Sequence, residues 1–253
     1  MELLRTFGVG GHIKKQRTLT ATVNTIVASG IAHVPVQIFL GGTLSLAPKN
    51  VPGKELSETR ELIDRHGVRL FVHAPYTVNL ADAELAYEAN VSCLQNLLEI
   101  GSAIGAAGVV VHVGKHCGRW TPEQARENMK RSIEDIVRPG YACPLLLETP
   151  AGQGTELLTT PEDFLQFCGD LSLGMCIDTC HVFACGTCPM KYLDYVLTNA
   201  PELLKLIHFN DSKGAQGSRV DRHAFVGTGQ IDLDTLIDFA AKAAERGIPM
   251  LTE

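Results

Sequence analysis

The sequence has no excess of positive charge: 22 Lys and Arg stand against 28 Asp and Glu, for a net charge of −6. That argues against a surface that attracts polyanions everywhere, and leaves a locally positive site as the route to a nucleic acid. No apolar run reaches the roughly 18–20 residues that cross a bilayer. The N-terminus, MELLRTFGVGGHIKK, lacks a basic stretch followed by an apolar one, so no secretory signal is read there. The sequence therefore reads as intracellular, with no membrane partner and with cytoplasm versus nucleus left open. A dinucleotide fingerprint is missing as well. Gly8-Val9-Gly10-Gly11 is too short for one, and no acidic ribose ligand follows at the right distance.

Cysteine is present, but not in a disulfide framework. Eight cysteines in 253 residues without a signal peptide read as reduced thiols or metal ligands. Cys176, Cys180, Cys185 and Cys188 cluster in sequence. The Cys185-Gly-Thr-Cys188 spacing would suit half a zinc ribbon or a redox pair, but no second such pair completes a ribbon. Ordinary thiols are the expectation.

What is present is a repeat of short β-rich runs. They are Leu3–Gly8, His33–Leu40, Val68–His73, Val109–Val113, Pro144–Thr149, Leu173–Asp178, Leu204–Phe209 and Ile248–Glu253. Most are continuously apolar, as expected of parallel strands covered on both faces. Helical segments lie between them, at 18–29, 55–66, 82–104, 121–137, 160–168, 189–200 and 232–246. Two of these open on Thr-Pro-Glu, a cap followed by proline in the first turn. Strand and helix alternating about eight times over this length predict an α/β fold, a TIM (β/α)8 barrel, as a single domain over 1–253. No linker or low-complexity segment divides the chain.

Chemistry in such a barrel gathers where strands end. The residues at or just past those ends are His12, Gln37, His73, His112, Glu148, Asp178, His208 and Glu253. Imidazoles and carboxylates dominate that row, where a barrel wall needs apolar or small side chains. Asp178-Thr-Cys-His181 and Asp221-Arg-His223 add two local pairs. In an extended segment residues i and i+2 project to one side, so Asp221 and His223 can grip one ion. The metal-ligand inventory is His73, His112, His181, His208 and His223 with Glu148, Asp178, Asp221 and Glu253. Uncompensated buried carboxylates each cost several kcal/mol, so cations are expected among them. Nine ligands with one bridging carboxylate fill three Zn²⁺ sites, with Mn²⁺ able to replace zinc at an oxygen-rich position. His33, His66 and His116 are read as ordinary core or loop residues.

These residues resemble the endonuclease IV family, the zinc-dependent apurinic/apyrimidinic endonucleases. The similarity runs over nearly the whole chain and is carried by HAPYTVNLA (73–81), LLLETPAGQGTEL (145–157), GMCIDTCHVFACG (174–186) and IHFNDSKGAQGSRVDRH (207–223). It implies that His73 and His112 bind one zinc, that Glu148 bridges it to a second completed by Asp178, His208 and Glu253, and that His181, Asp221 and His223 hold a third. It also implies a DNA-repair activity: hydrolysis of the phosphodiester 5′ to an abasic site in duplex DNA, leaving a 3′-hydroxyl, with Glu148 also orienting the nucleophile. Tyr76 is the candidate wedge into the gap of a missing base, and Lys115, Lys213 and Arg222 are candidate phosphate contacts. The chain departs from the resemblance at Thr77, where a bulkier apolar residue is usual, and at Leu44, near the place of an arginine wedge. The resemblance also implies an eighth helix beyond residue 253, so a barrel lacking its final C-terminal helix is expected. A monomer is expected. The readings that compete are a single-metal sugar isomerase or epimerase on the same barrel, and an inactive zinc- and DNA-binding remnant.

Overall fold

The computed structural model describes residues 2–253. Eight parallel strands close into a barrel: β1 (Gly10–His12), β2 (Val36–Phe39), β3 (Leu70–His73), β4 (Gly108–His112), β5 (Leu145–Glu148), β6 (Gly174–Asp178), β7 (Leu204–His208) and, after a two-stranded excursion, β10 (Met250–Thr252). Each pairs with the strand before it, and β1 closes the ring by pairing with both β2 and β10. The excursion is a small antiparallel hairpin, β8 (Asp211–Ser212) with β9 (His223–Ala224). The closed, helix-covered parallel barrel is the expected TIM barrel. Seven of the eight expected strands appear within a few residues of their predicted places.

The eighth differs. Leu3–Gly8 is not a strand; the chain forms helix α1 (Glu2–Thr6) there and the first strand comes later. Glu-Leu-Leu-Arg favours helix, and Gly8 in the left-handed region (φ 63°) closes it, with Gly8 N donating to Arg5 O and Val9 N to Leu4 O. The apolar content of the segment gave no warning, because a run this short fits either state.

The outer helices are α2 (Leu19–Ala28), α3 (Gly53–His66), α4 (Tyr87–Ile104), α5 (Pro122–Val137), α6 (Pro161–Asp170), α8 (Pro189–Asn199) and α9 (Leu233–Glu245). Thr18, Thr121 and Thr160 cap α2, α5 and α6 through their hydroxyls, and Thr121 with Gln124 completes a capping box. One short helix, α7 (Thr179–Ala184), had no counterpart among the expected elements. It follows β6 without a loop, because Asp178 ends the strand and caps the helix.

Two apolar layers result. Strand residues such as Val72, Val109, Val111, Leu147, Ile177 and Ile207 face the helices in the main core. Phe71, Val110, Leu146, Cys176, Leu206 and Leu251 fill the barrel interior as a second, separate cluster. Two residues further along each of those six strands or their ends stand His73, His112, Glu148, Asp178, His208 and Glu253. Period-2 alternation therefore carries each of these six side chains to the inside, one layer above an apolar floor.

The approach of β1 to β2 leaves no space for a side chain at Gly10, where a Cβ would stand 1.6 Å from Pro35 O. Gly10→Ala is expected to destabilise the protein by about 1–3 kcal/mol, the usual cost of forcing atoms into packed space. Gly53→Ala, at the open first turn of α3, should be neutral or slightly stabilising. Urea unfolding of the two variants checks this, and equal midpoints would contradict the packing argument.

Candidate metal centre

Glu148 occupies the centre of the inward-facing layer with no exposed surface. Its two oxygens point to different neighbours. Oε2 lies 3.2 Å from His73 Nε2 and 3.2 Å from His112 Nε2. Oε1 lies 3.0 Å from His208 Nδ1 and 3.4 Å from His181 Nδ1. His208 Nδ1 is also 3.2 Å from Glu253 Oε2 and 3.9 Å from Asp178 Oδ2. On the hairpin side, Asp221 Oδ1 is 3.3 Å from His181 Nε2 and 3.2 Å from His223 Nε2, and Asp178 Oδ2 is 3.5 Å from His223 Nε2.

Backbone and amide groups fix which imidazole nitrogens carry protons. His73 Nδ1 sits 2.6 Å from Ala74 O, and His181 Nδ1 sits 2.9 Å from Thr149 O. A carbonyl only accepts, so both Nδ1 atoms donate and both Nε2 atoms turn a lone pair into the cavity. For His208 the argument runs through Gln37. The Gln37 amide N donates to Glu253 Oε1 at 2.7 Å, which turns its carbonyl oxygen to His208 Nε2 at 2.9 Å. His208 Nε2 then donates, and Nδ1 faces Glu148 and Glu253 with a lone pair.

Lone pair facing carboxylate oxygen at about 3 Å is repulsive unless a cation lies between. His181 Nε2 and His223 Nε2 make the same point differently: both are buried and neither has a hydrogen-bond partner, although carboxylate oxygens are near. Without a metal ion, protons must fill this role. Burial pushes the imidazoles of His112, His181, His208 and His223 down, but neighbouring charges outweigh it. Glu148 raises His112, Asp178 with Asp221 and Glu148 raises His181, Glu253 with Glu148 raises His208, and Asp178 with Asp221 raises His223. The acids respond in the opposite sense. Burial pushes Glu148, Asp221 and Glu253 up, yet the imidazoles beside them hold all three well below the carboxylate range. The arrangement is a trap for positive charge.

Four overlapping groups of donors could hold an ion: His73, His112 and Glu148; Glu148, Asp178, His208 and Glu253; Asp178, His181 and His223; and Cys180, Asp221 and His223. All nine residues singled out as metal ligands from the sequence lie in these groups. Neutral imidazoles with carboxylates are a donor set that suits Zn²⁺, so the residues present fit such an ion. His12 and Gln37, which share the row of strand ends, lie beside Glu253, with His12 Nδ1 3.9 Å and the Gln37 amide N 2.7 Å from its Oε1.

Several contributors were not assigned from the sequence. Asn210 accepts from Glu253 N through Oδ1 at 3.0 Å and donates to Asp178 Oδ2 at 2.7 Å, linking two acids from different strands. Asp178 Oδ1 accepts from His181 N at 2.9 Å, so the capping bond of α7 also sets the position of an imidazole. Cys180 lies against the hairpin acids, and burial pushes its thiol up to about 12, as it does that of Cys176. Both remain neutral thiols. All eight cysteines are free, in line with the expectation of ordinary thiols. Asn and Gln had no signal in the ligand inventory, because their role is to orient ligands rather than bind an ion.

The candidate DNA contacts divide. The Tyr76 ring packs over the centre, with centroids 5.2–5.5 Å from those of Phe39, His73 and His112, while the residue remains 47% exposed. Burial first, then the charges of Glu253, Glu148 and Asp221, push its phenol well above the usual range, so it keeps its proton. Lys115 pairs with Glu156 at 3.3 Å. Arg222 Nη1 donates to Asp221 O at 2.9 Å, and Lys213 N donates to Arg222 O at 2.8 Å, so both basic residues belong to the hairpin beside Asp221.

Comparison with known proteins agrees with this geometry. Residues 33–253 match the family of xylose isomerase-like TIM barrels. The probable endonuclease 4 of Streptomyces coelicolor is 35% identical over 261 residues, covering 97% of this chain and 88% of that protein. The crystal structure of endonuclease IV from Thermus thermophilus superposes with a TM-score of 0.83 at 28% identity, over 97% of this chain and 91% of that one. A D-tagatose 3-epimerase-like protein shares the fold alone, with a TM-score of 0.73 at 23% identity, over 96% of this chain and 90% of that one.

Gln37 offers a clean test of the positioning argument. Gln37→Met keeps the volume but removes both amide bonds. With Zn²⁺ as the probe, it is expected to weaken the tightest metal binding about 10–100-fold, the usual effect of losing a group that orients metal ligands. Competition titration with a chromophoric chelator measures this, and unchanged affinity would show that Gln37 does not orient His208 and Glu253.

Proposed function

The chain belongs to the endonuclease IV family, and from that premise we propose that it is a zinc-dependent DNA-repair nuclease, one domain over residues 1–253, that hydrolyses the phosphodiester 5′ to an abasic site. The observation that carries the reading is Glu148, whose two oxygens serve two different sets of imidazoles. A carboxylate divided in this way is suited to bridging two ions. Asp221 and His223 on the hairpin, with His181, supply donors for a third.

In this reading His73, His112 and Glu148 would hold the first ion. Asp178, His208 and Glu253, with Glu148, would hold the second. His181, Asp221 and His223 would hold the third. Zn²⁺ held there would supply Lewis acidity, enough to bring the pKa of water to about 7 and to neutralise phosphoryl charge. Mn²⁺ can replace zinc in the oxygen-rich second set. Glu148, fully buried and ionised, also holds the attacking water in line. The oxygen of that water bonds to phosphorus as the P–O3′ bond breaks, and the proton the water loses ends on the departing O3′, leaving a 3′-hydroxyl and a 5′-phosphate.

Abasic DNA is recognised by what it lacks. A missing base weakens stacking, so bending the duplex and turning the sugar outward costs less than at an intact pair. Tyr76, ordered over the centre and keeping its proton, fills the gap and presents a hydroxyl donor. Arg222 and Lys213 meet backbone phosphates beside the hairpin, and Lys115 does so from its ion pair with Glu156. A net charge of −6 is no obstacle, since three Zn²⁺ place six positive charges where the phosphate sits. The protein acts as a monomer inside the cell, where abasic sites arise.

A single-ion isomerase is less well supported, because it leaves the donors at Asp221, His223 and His181 without a purpose. Elemental analysis separates the two readings. About three zinc per chain is expected, and one would favour the isomerase. Incision of a duplex carrying one tetrahydrofuran lesion tests the activity itself; binding without incision would point to an inactive remnant. Glu148→Gln should fold and lose activity by about 10³-fold or more, as when a group central to transition-state charge is removed. Near-normal turnover in that variant would refute the role given to Glu148.

A further inference from the structure

The large apolar side chains left in water are not spread evenly. Of the seven exposed among the described residues, only Val137, at the end of α5, lies away from the barrel mouth. The others stand in the loops after β2, β3 and β7 or at the first residue of α9, around the metal centre. Phe225 is the extreme case, at 89% exposed. Leaving a phenylalanine in water forgoes roughly 1.5–3 kcal/mol of burial. A ring this exposed in a loop at the mouth of the barrel is placed to meet a ligand that enters there.

The backbone under Phe225 is held by hydrogen bonds. Ala224 pairs with Asp211 in the hairpin, and His223 pairs with Ser212. The Asp211 carboxylate, fully buried, accepts from the backbone N–H of Gly227 at 3.0 Å, Gly229 at 2.7 Å and Ile231 at 3.1 Å. Gly229 packs so closely on Asp211 that a Cβ there would stand 2.4 Å from Oδ1. Phe225 O accepts from Thr228 N and from Thr228 Oγ1, closing a turn. A buried acid thus holds the loop and fixes where the ring is displayed. Phe225 directly follows β9, two residues beyond His223 and four beyond Asp221, so the loop that carries two candidate ligands also displays the ring.

An exposed aromatic in the loop that carries Asp221, Arg222 and His223, beside the candidate metal centre, matches the chemistry of a nucleotide: anionic backbone at the centre, π-face one unit away. We propose that Phe225 stacks on a nucleobase flanking the lesion in the DNA strand whose phosphate enters the metal centre. This rests on the nuclease reading above. Stacking on one face needs no base-specific hydrogen bond, so the contact tolerates any flanking sequence. A protein partner would instead need a continuous apolar patch, and here the apolar residues are interrupted by Asp221, Arg222 and His223.

The test uses the zinc-loaded protein and a duplex with one tetrahydrofuran lesion and 2-aminopurine as the flanking base. Binding is read by anisotropy, stacking by 2-aminopurine fluorescence, and incision by gel. Phe225→Ala is expected to weaken binding about fivefold or more, with the loss falling on KM more than kcat, with metal content unchanged and with the fluorescence change on binding reduced. Phe225→Trp should restore all three. Wild-type incision with equal affinity, equal KM and an equal fluorescence change in Phe225→Ala overturns the stacking contact alone. If the wild-type protein binds but does not incise, the nuclease reading fails while anisotropy and fluorescence still decide the contact. If it binds no DNA, both fall.

Discussion

A buried carboxylate surrounded by imidazoles governs the upper half of this barrel. Glu148 has no access to water, and four histidines approach its two oxygens within 3.0–3.4 Å. A carboxylate taken out of water is tolerated only with cations around it. Every other feature of the centre follows from that demand. The lone pairs of His73, His181 and His208 are turned inward because backbone carbonyls and Gln37 occupy their other nitrogens. Asn210 donates to the Asp178 carboxylate and accepts from the backbone of Glu253, while Gln37 holds the Glu253 carboxylate.

The barrel makes this possible by separating its tasks by depth. The interior floor of Phe71, Val110, Leu146, Cys176, Leu206 and Leu251 is dry and tightly filled. One layer higher, the same strands present ligands. A dry floor lowers the local dielectric under the centre, which strengthens every attraction between its charges. The hairpin of β8 and β9 then adds Asp221 and His223 from above, closing the third group of donors on a loop rather than a strand. The donors are thereby divided between a ring of strand ends and an added hairpin loop.

Much of this was legible in the chain. The alternation of buried strands and capped helices led to the barrel, and the nine candidate ligands stood out because histidine and acid recur where an apolar wall should be. The row was readable as period 2: Phe71 then His73, Val110 then His112, Leu146 then Glu148, Leu206 then His208. The first segment was misread because a short helix and a short buried strand have the same apolar content, and only the closure at Gly8 decides between them. Helix α7 was missed because Asp178 reads first as a ligand; its second task, capping, leaves no separate mark.

The sequence by itself determined the architecture and the identity of the charge trap, since periodicity and residue type are local properties that survive being written in a line. Tertiary structure alone decided how the trap is wired. Which oxygen of Glu148 faces which imidazole, which nitrogen of His208 is free, and why Gln37, Asn210 and Asp211 matter are facts about approach. They depend on distances between residues as far apart in the chain as Gln37 and Glu253. Hydrogen bonds and ion pairs act over a few ångströms of space, and no spacing along the chain records them.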